Sequence, residues 1–186
     1  NGTYLDASGK SFRDFMTGNL DVVPGEIPTM SDFEDHLSTI FPEVRLKQFL
    51  EMRGADTGPW DELCALPAYW VGLLYDDIAL DACLDLVKDW SAADRQTLRE
   101  DVPAQGFDAM IHGRSVRDIA SATLDIARAS LNRRGYMNGH GENETVFLQA
   151  LDDMVRSGMS NADVLIAAYK GEWGGDISRC YTDCIY

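Results

Sequence analysis

The sequence predicts an α+β fold that is mostly helical, with a few antiparallel strands near its N-terminal end. Residues 43–56, EVRLKQFLEMRGAD, alternate in character with a period of two, which is typical of a β-strand. After Asp56, apolar residues recur at helical spacing, in segments that begin at capping residues and end at glycine. The 186 residues are enough for one compact domain with a core, and we expect a single domain.

Turn and capping residues place the elements before the charged strand. Asn1-Gly2 is a hairpin signal, and residues 3–7 are expected to form the returning strand. Residues 11–18, SFRDFMTG, predict a short helix. Ser31, with Glu34 three positions later, predicts a capping box at the start of the next helix, which Pro42 would end. One strand then follows over residues 43–56.

The remainder of the chain is predicted to be helical. Pro59 suits a first helical position, and Pro67 should break or kink the helix that follows. The other predicted helices are residues 76–90, a helix capped by Ser91 and Asp94 that reaches about Val102, residues 114–135 with Gly135 as the stop, residues 144–158, and residues 162–171 capped by Ser160 and Asp163.

Charge and hydropathy exclude some classes of partner. The formal net charge of −15 argues against nucleic acid and anionic membranes as partners. The longest apolar stretch, Ala65–Tyr75, is too short to span a membrane and contains Pro67. The basic residues of the 43–56 segment therefore form a local positive site on an acidic protein.

The cysteines and the first residue suggest a compartment and a longer chain. Four cysteines, Cys64, Cys83, Cys180 and Cys184, show no CxxC pair, and no segment of residues 1–186 is typical of a signal peptide. This usage favours reduced thiols in a cytoplasmic protein and gives no support for a zinc site. The chain begins with Asn rather than Met, so we expect an upstream portion.

The charged segment is the first candidate site. In a strand, one face would carry the charged residues Arg45, Lys47, Glu51 and Arg53. The opposite face, which carries the alternate residues from Val44 to Met52, would join the core. The cations could bind phosphate or carboxylate oxygens, and Glu51 between them could bind Mg²⁺. The alternative is a solvated face with weak cross-strand ion pairs, and spacing alone favours that alternative.

The segment RGADTGPW, residues 53–60, is the second candidate. Gly54 and Gly58 permit a close approach of the backbone where the charged strand ends. Trp60, at the head of the next helix, could then form the wall of a pocket. A simple turn followed by a core tryptophan explains the same residues equally well. The further aromatic residues at helical spacing, Tyr69, Trp70 and Tyr75, are more typical of a core.

Several motifs together resemble one enzyme family. They are FPEVRLKQFLEMRGADTGPWDELCALPAYWVGLLYDD at residues 41–77, SGKSFRDF at 8–15, HLSTIFPEVRLK at 36–47 and YKGEWGGD at 169–176. In this order they resemble the glutamate–cysteine ligase family of plants and many proteobacteria. The resemblance implies ATP- and Mg²⁺-dependent joining of the γ-carboxylate of L-glutamate to the amino group of L-cysteine through γ-glutamyl phosphate, the first step of glutathione synthesis. It also implies a glutamine-synthetase-like fold, of which residues 1–186 would be the C-terminal part of one catalytic domain.

The same resemblance implies roles for individual residues. Glu51-Met52-Arg53 is similar to a Glu-x-Arg element that holds metal and phosphoryl group in the wider superfamily. Glu51 would hold Mg²⁺, and Arg53 would steady the transferring phosphoryl group as the catalytic residue. Arg45 and Lys47 would contact ATP phosphates or the substrate carboxylate, and Trp60 would line the substrate or ATP pocket. The partners implied are the small-molecule substrates L-glutamate, L-cysteine and ATP.

The sequence departs from the family at two positions and leaves other functions open. Ala7 stands where plant relatives tend to carry Cys, so we do not expect plant-like redox switching, although Cys64 resembles one of the regulatory cysteines. Thr57 stands where we expect Gly. The alternatives are a related glutamate–amine ligase or a non-catalytic helical interaction module, which would bury the Arg45–Arg53 face against a partner.

Overall fold

The structure, a computed structural model, describes residues 2–184. Its contacts divide the chain into two compact units, Asn1–Ala55 and Asp56–Tyr186. The predicted mostly helical composition with a few antiparallel strands is confirmed. The glutamine-synthetase-like fold and the single catalytic domain stay predictions.

The N-terminal unit contains two short helices and one hairpin. They are α1 (Phe12–Met16), α2 (Met30–Ser38), β1 (Val44–Leu46) and β2 (Leu50–Met52). The predicted strand at residues 3–7 is wrong, because these residues take no regular secondary structure, and a strand needs a pairing partner. The turn predicted ahead of it includes Asn1, which lies outside the described residues.

The N-cap of helix α2 lies two residues before the predicted cap. Thr29 is the N-cap: its hydroxyl accepts the N–H of Asp32, and the Asp32 carboxylate accepts the Thr29 N–H. This capping box replaces the one predicted at Ser31 and Glu34, because Thr29 and Asp32 have the same spacing and chemistry two residues earlier. The helix ends at Ser38, before Pro42, which therefore does not end it.

The charged segment is a hairpin and not one continuous strand. β1 and β2 pair antiparallel, and Arg45 lies opposite Glu51. Residues 47–49 form the reversal, where the Lys47 N–H donates to the Phe49 carbonyl at 2.9 Å. The apolar face was predicted to join the core, but Leu46 is 81% exposed, Val44 and Leu50 are also exposed, and Met52 is only half-buried. A two-stranded hairpin buries a face only where another layer packs on it.

The C-terminal unit contains the other elements. Its helices and strands are α3 (Trp60–Leu74), α4 (Asp77–Val87), α5 (Ala92–Gln105), β3 (Met110–Ile111), β4 (Arg114–Ser115), α6 (Val116–Arg134), α7 (Gln149–Ser157), α8 (Asn161–Lys170) and α9 (Cys180–Asp183). Single 3₁₀ turns occupy Gly106–Asp108, Glu144–Leu148 and Ile177–Arg179.

Most helix ends of this unit follow the predicted capping chemistry. Capping boxes join Ser91 to Asp94 at the start of α5 and Ser160 to Asp163 at the start of α8. Gly135 ends α6 in the left-handed conformation, as glycine does without steric cost. Pro67 does not break the helix, since α3 runs through it from Trp60 to Leu74, and the predicted alternative, a kink at Pro67, stays a prediction.

Helices α3 and α6 form the centre of the core with α7 and the preceding turn. The buried cluster consists of Leu73, Leu124, Ala127, Leu131 and Leu148. The two helices approach closely at Gly72, where a Cβ atom would lie 2.8 Å from backbone atoms of Ala127. Packing of this kind supports a helix that contains a proline, because tertiary contacts offset the hydrogen bond that Pro67 cannot make.

A second hairpin was not predicted. β3 and β4 are joined by His112 and Gly113, both with positive φ (49° and 75°), which suits a two-residue turn of the I′ type. Two-residue strands are too short to show alternation. Among the described residues no single helix is long and apolar enough to cross a membrane; α3 and α4 reach that length only as a pair bent by 90°.

Candidate functional site

The hairpin of the N-terminal unit brings three of the predicted site residues together. Arg45 and Glu51 are cross-strand neighbours, and Arg53 follows Glu51 by two residues on the same face. Oε2 of Glu51 lies 3.8 Å from Nε of Arg45 and 3.8 Å from Nη1 of Arg53. Each of the three side chains is about one third exposed (30–34%). One carboxylate is thus held between two guanidinium groups that solvent can reach.

Backbone and ring contacts fix Arg53 at this position. Its N–H donates to the carbonyl of Glu43 at 2.8 Å, which continues the ladder one residue beyond β2. Its guanidinium lies 5.6 Å from the centroid of the Phe41 ring, within the range of a cation–π contact. Because both ends of the residue are held, the guanidinium stays next to Glu51.

The Glu51 carboxylate has an unsatisfied atom. Oε2 is buried and makes no hydrogen bond with the described residues. Both guanidinium nitrogens at 3.8 Å are close enough for charge attraction but too distant for hydrogen bonds. A buried acceptor without a partner is costly. This oxygen is therefore suited to an additional ligand.

The described residues fit one part of a magnesium site. A carboxylate oxygen without a hydrogen-bond partner is a suitable Mg²⁺ ligand. Residues 2–184 contain no group of three or more His, Cys, Asp or Glu side chains that could hold a metal ion. Mg²⁺ is often bound by one or two carboxylates together with substrate phosphate and water, so Glu51 can be one ligand of such a set.

The other two predicted site residues, Lys47 and Trp60, are both exposed to solvent. Lys47 lies in the exposed reversal after β1. Trp60 is the first residue of α3, in the C-terminal unit, and is 73% exposed. The alternative that Trp60 is a core residue is therefore wrong. An open indole at a helix start remains available to a ligand.

Sequence reasoning missed an open groove of about 570 Å³ between α6 and α7. Asp118 and Asp125 line it from α6, seven residues apart and thus on one face. Most of its other charges are already engaged: Asp152 pairs with Arg128, and Arg117 donates to carbonyls at the end of α7. A hydrogen bond from the Ser115 hydroxyl lowers the pKa of Asp118. The Arg117 and Arg128 contacts hold α6 against α7, and we assign no ligand to the groove.

Comparison with known proteins extends over nearly the whole chain. The family model described as glutamate-cysteine ligase family 2 matches residues 2–183. The chloroplastic glutamate–cysteine ligase of Arabidopsis thaliana is 48% identical over 183 residues, 98% of this chain and 34% of that protein. The chloroplastic glutamate–cysteine ligases of Nicotiana tabacum and Brassica juncea are 45% and 46% identical, over 98% and 100% of this chain and 34% and 35% of those proteins. The chain thus spans about one third of the length of these relatives.

Proposed function

Because the chain belongs to glutamate-cysteine ligase family 2, we propose that it is part of a ligase that joins L-glutamate to L-cysteine in the first step of glutathione synthesis. The observation that supports this most is the identity of 45–48% to ligases of that name over nearly the whole chain. Since the chain spans about one third of those proteins, the activity is proposed for the longer protein. We also propose that the chain is the C-terminal part of a glutamine-synthetase-like catalytic domain.

The proposed reaction uses ATP and proceeds in two steps. The γ-carboxylate of glutamate attacks the γ-phosphorus of ATP, which gives γ-glutamyl phosphate and ADP. The amino group of cysteine then attacks the acyl carbon, the C–O bond to phosphate breaks, and γ-glutamylcysteine and inorganic phosphate are released. Mg²⁺, when bound, would offset charge on the phosphate oxygens. Such transfers depend mainly on positioning and on charge stabilisation.

The hairpin contains groups that suit these requirements. Glu51 would be a Mg²⁺ ligand through the oxygen that has no hydrogen-bond partner. Arg53 would donate hydrogen bonds to the transferring phosphoryl group and thereby stabilise the charge that develops on it. Arg45, on the opposite strand, would contact a further phosphate or the substrate carboxylate. Lys47, in the reversal, is proposed only for longer-range attraction of these anions.

The ion pairs seen in the hairpin do not oppose this assignment. Both involve N–O distances of 3.8 Å between side chains about one third exposed to solvent. Ion pairs of this type contribute roughly 0–1 kcal/mol to stability. A phosphate that forms direct, charge-assisted hydrogen bonds can therefore replace Glu51 as the partner of either arginine.

The proposed partners are small molecules. The net charge of −15 makes nucleic acid and anionic membranes unfavourable partners. The cytoplasmic location expected from the cysteines is a proposal only, and the relatives named above are chloroplastic. All four cysteines are free thiols in the structure.

The substrate requirement tests the proposed function. ADP release by the full-length enzyme would be measured with glutamate alone, cysteine alone, and both, in the presence of ATP and Mg²⁺. We expect sustained release only with both amino acids, because cysteine must consume γ-glutamyl phosphate before the enzyme can turn over. Equal rates without cysteine, or without glutamate, would show that the substrate assignment is wrong.

Two other functions predict different results. A related glutamate–amine ligase would use another amine more efficiently than cysteine in the same assay. A non-catalytic module would release no ADP under any condition and would bury the Arg45–Arg53 face against a partner.

A further inference from the structure

Phe41 lies in the short segment that leads into β1, and it contacts Arg53 across the hairpin. The Glu43 carbonyl accepts the Arg53 N–H at 2.8 Å, which brings this segment beside the residue that follows β2. The guanidinium carbon of Arg53 lies over the Phe41 ring, 5.6 Å from its centroid. Pro42 favours an extended backbone at Phe41, because a proline disfavours the helical conformation of the residue before it. Local chain geometry therefore holds the ring beside Arg53.

The ring holds the guanidinium of Arg53 without using its hydrogen-bond donors. A cation–π contact attracts the positive charge as a whole, so it needs no oxygen acceptor and engages no particular N–H group. The other neighbour, Oε2 of Glu51, is 3.8 Å from Nη1 of Arg53, which is beyond the range of a hydrogen bond. The donors of a guanidinium lie in one plane and suit phosphate oxygens. Neither contact takes up the donors with which Arg53 would bind a phosphoryl group.

We propose that Phe41 is a positioning residue of the ligase, which holds Arg53 beside Glu51 in the arrangement that binds the transferring phosphoryl group. An arginine side chain has many rotamers, and ordering it before the reaction removes part of the entropic cost of reaching the transition state. A cation–π contact at an exposed site favours the ordered arrangement about 2- to 5-fold. This inference rests on the proposed function and on the role that it gives to Arg53.

Steady-state kinetics of the full-length enzyme test the positioning role. Phe41→Leu keeps an apolar side chain but removes the π-face, and it should lower kcat about 2- to 5-fold with KM for glutamate and cysteine nearly unchanged. Phe41→Tyr keeps the π-face and should retain nearly the wild-type kcat. Because Phe41 is 69% exposed, neither change opens a cavity in a core, and both variants should keep the wild-type urea midpoint.

Phe49→Leu is the matched control for the loss of an exposed ring. Phe49 belongs to the same hairpin, lies in the reversal between β1 and β2, and is 62% exposed. The same substitution at this position should leave kcat unchanged. If Phe49→Leu lowers kcat as much as Phe41→Leu does, the contact between Phe41 and Arg53 is not the cause of the effect.

A double-mutant cycle with Arg53 separates positioning from a general structural effect. In an Arg53→Ala background, Phe41→Leu should lower kcat no further, because the guanidinium that the ring holds is gone. If Phe41 only supported the fold of the hairpin, its replacement would lower kcat by the same factor in both backgrounds. An equal factor in the two backgrounds would therefore refute the positioning role.

The outcomes distinguish this inference from the function on which it rests. If Phe41→Leu keeps the wild-type kcat, or if Phe41→Tyr is impaired as strongly as Phe41→Leu, the positioning role is refuted and the ligase stands. Near-normal turnover of Arg53→Ala refutes the role of Arg53, and the positioning role with it, while the ligase activity again stands. A wild-type enzyme without ligase turnover refutes the proposed function itself.

Discussion

Glu51 is the residue on which the assignment of the hairpin depends. It is the acid of a cluster whose other two members are arginines, and its Oε2 atom has no hydrogen-bond partner among the described residues. An ion pair formed only for stability would be expected to use that oxygen in a direct hydrogen bond. We propose instead that this carboxylate holds a ligand.

The first prediction concerns turnover. Arg53→Ala in the full-length enzyme should lower kcat by about 10²–10³, or roughly 2.7–4 kcal/mol, by analogy with the loss of one donor to a developing oxyanion. Arg53→Lys should recover only part of this, because lysine lacks the two-pronged donor geometry. Lys88→Ala, which removes a cation from an exposed pair on the C-terminal unit, is the control and should be neutral. Near-normal turnover of a folded Arg53→Ala enzyme would refute the assignment.

The second prediction concerns the metal. If Glu51 is a Mg²⁺ ligand, Glu51→Gln should raise the Mg²⁺ concentration needed for half-maximal activity, because an amide oxygen carries no charge. The measurement is a Mg²⁺ titration of ADP release at fixed ATP. A variant that loses activity but keeps the wild-type Mg²⁺ dependence would show that Glu51 acts in some other way.

At the residue scale the sequence predicted part of this site. The period of two placed Arg45, Glu51 and Arg53 on one face, and the pairing register preserves that face across the hairpin. The exposure of Trp60 could not be predicted, because helical spacing does not show which side of a helix start faces solvent. The hydrogen bond between Glu62 and Asn161 joins residues that are 99 positions apart in sequence, and no local sequence pattern predicts such a contact.

At the scale of elements, the stabilising contribution of the N-cap of α5 depends on pH. Asp94 accepts hydrogen bonds from the hydroxyl and N–H of Ser91, and its Oδ2 lies 3.1 Å from Nε2 of His112 in the β3–β4 turn. The Ser91 hydroxyl, followed by His112, lowers the pKa of Asp94 from 3.8 to about 2. One carboxylate therefore ties the start of α5 to the second hairpin.

The third prediction follows from the sign of that shift. A carboxyl with a lower pKa in the folded state stabilises the fold fully above its unfolded pKa of 3.8, and this contribution is lost as pH falls towards 2. Asp94→Asn should lower the urea midpoint near pH 6, and the difference from wild type should shrink as pH falls from about 4 towards 2. Asp89→Asn, an exposed carboxylate outside the capping box, is the control. A difference that stays constant with pH would contradict this account.

The fourth prediction concerns the packing of α3 on α6. Gly72→Ala places a methyl group 2.8 Å from backbone and Cβ atoms of Ala127, which the helices can accommodate only by moving apart. We expect a loss of about 1–3 kcal/mol in the free energy of unfolding, measured by urea denaturation. Gly139→Ala, where a Cβ atom would meet nothing within 4 Å, should change it by less than about 0.5 kcal/mol. Equal effects of the two variants would show that close helix packing is not the reason for Gly72.

Element positions were predicted well where the signal is local. The capping boxes at Ser91 and Ser160 and the glycine ends of α6 and α7 depend on residues within one or two turns. The reversal at residues 47–49 was missed because it contains no Gly, Pro or Asn, so alternation continues through the turn. The helix is not broken at Pro67, because packing on α6, a tertiary effect, outweighs the local preference.

For the whole molecule, the sequence predicted the fold class and the family but only part of a site. The hairpin supplies one carboxylate and two arginines, and the described residues contain no complete metal ligand set. The chain spans about one third of the length of its relatives, so about two thirds of each relative has no counterpart in it. Sequence reasoning cannot supply the positions of residues that are not in the sequence.

The central claim is that the longer protein joins glutamate to cysteine through γ-glutamyl phosphate, and one isotope measurement tests it directly. Glutamate labelled with ¹⁸O in its γ-carboxylate would be supplied to the full-length enzyme with cysteine, ATP and Mg²⁺. Because a γ-carboxylate oxygen becomes the bridge to phosphorus, the inorganic phosphate released should carry one ¹⁸O atom for each γ-glutamylcysteine formed. Phosphate that contains no label while the dipeptide is formed, or no dipeptide at all, would contradict the account.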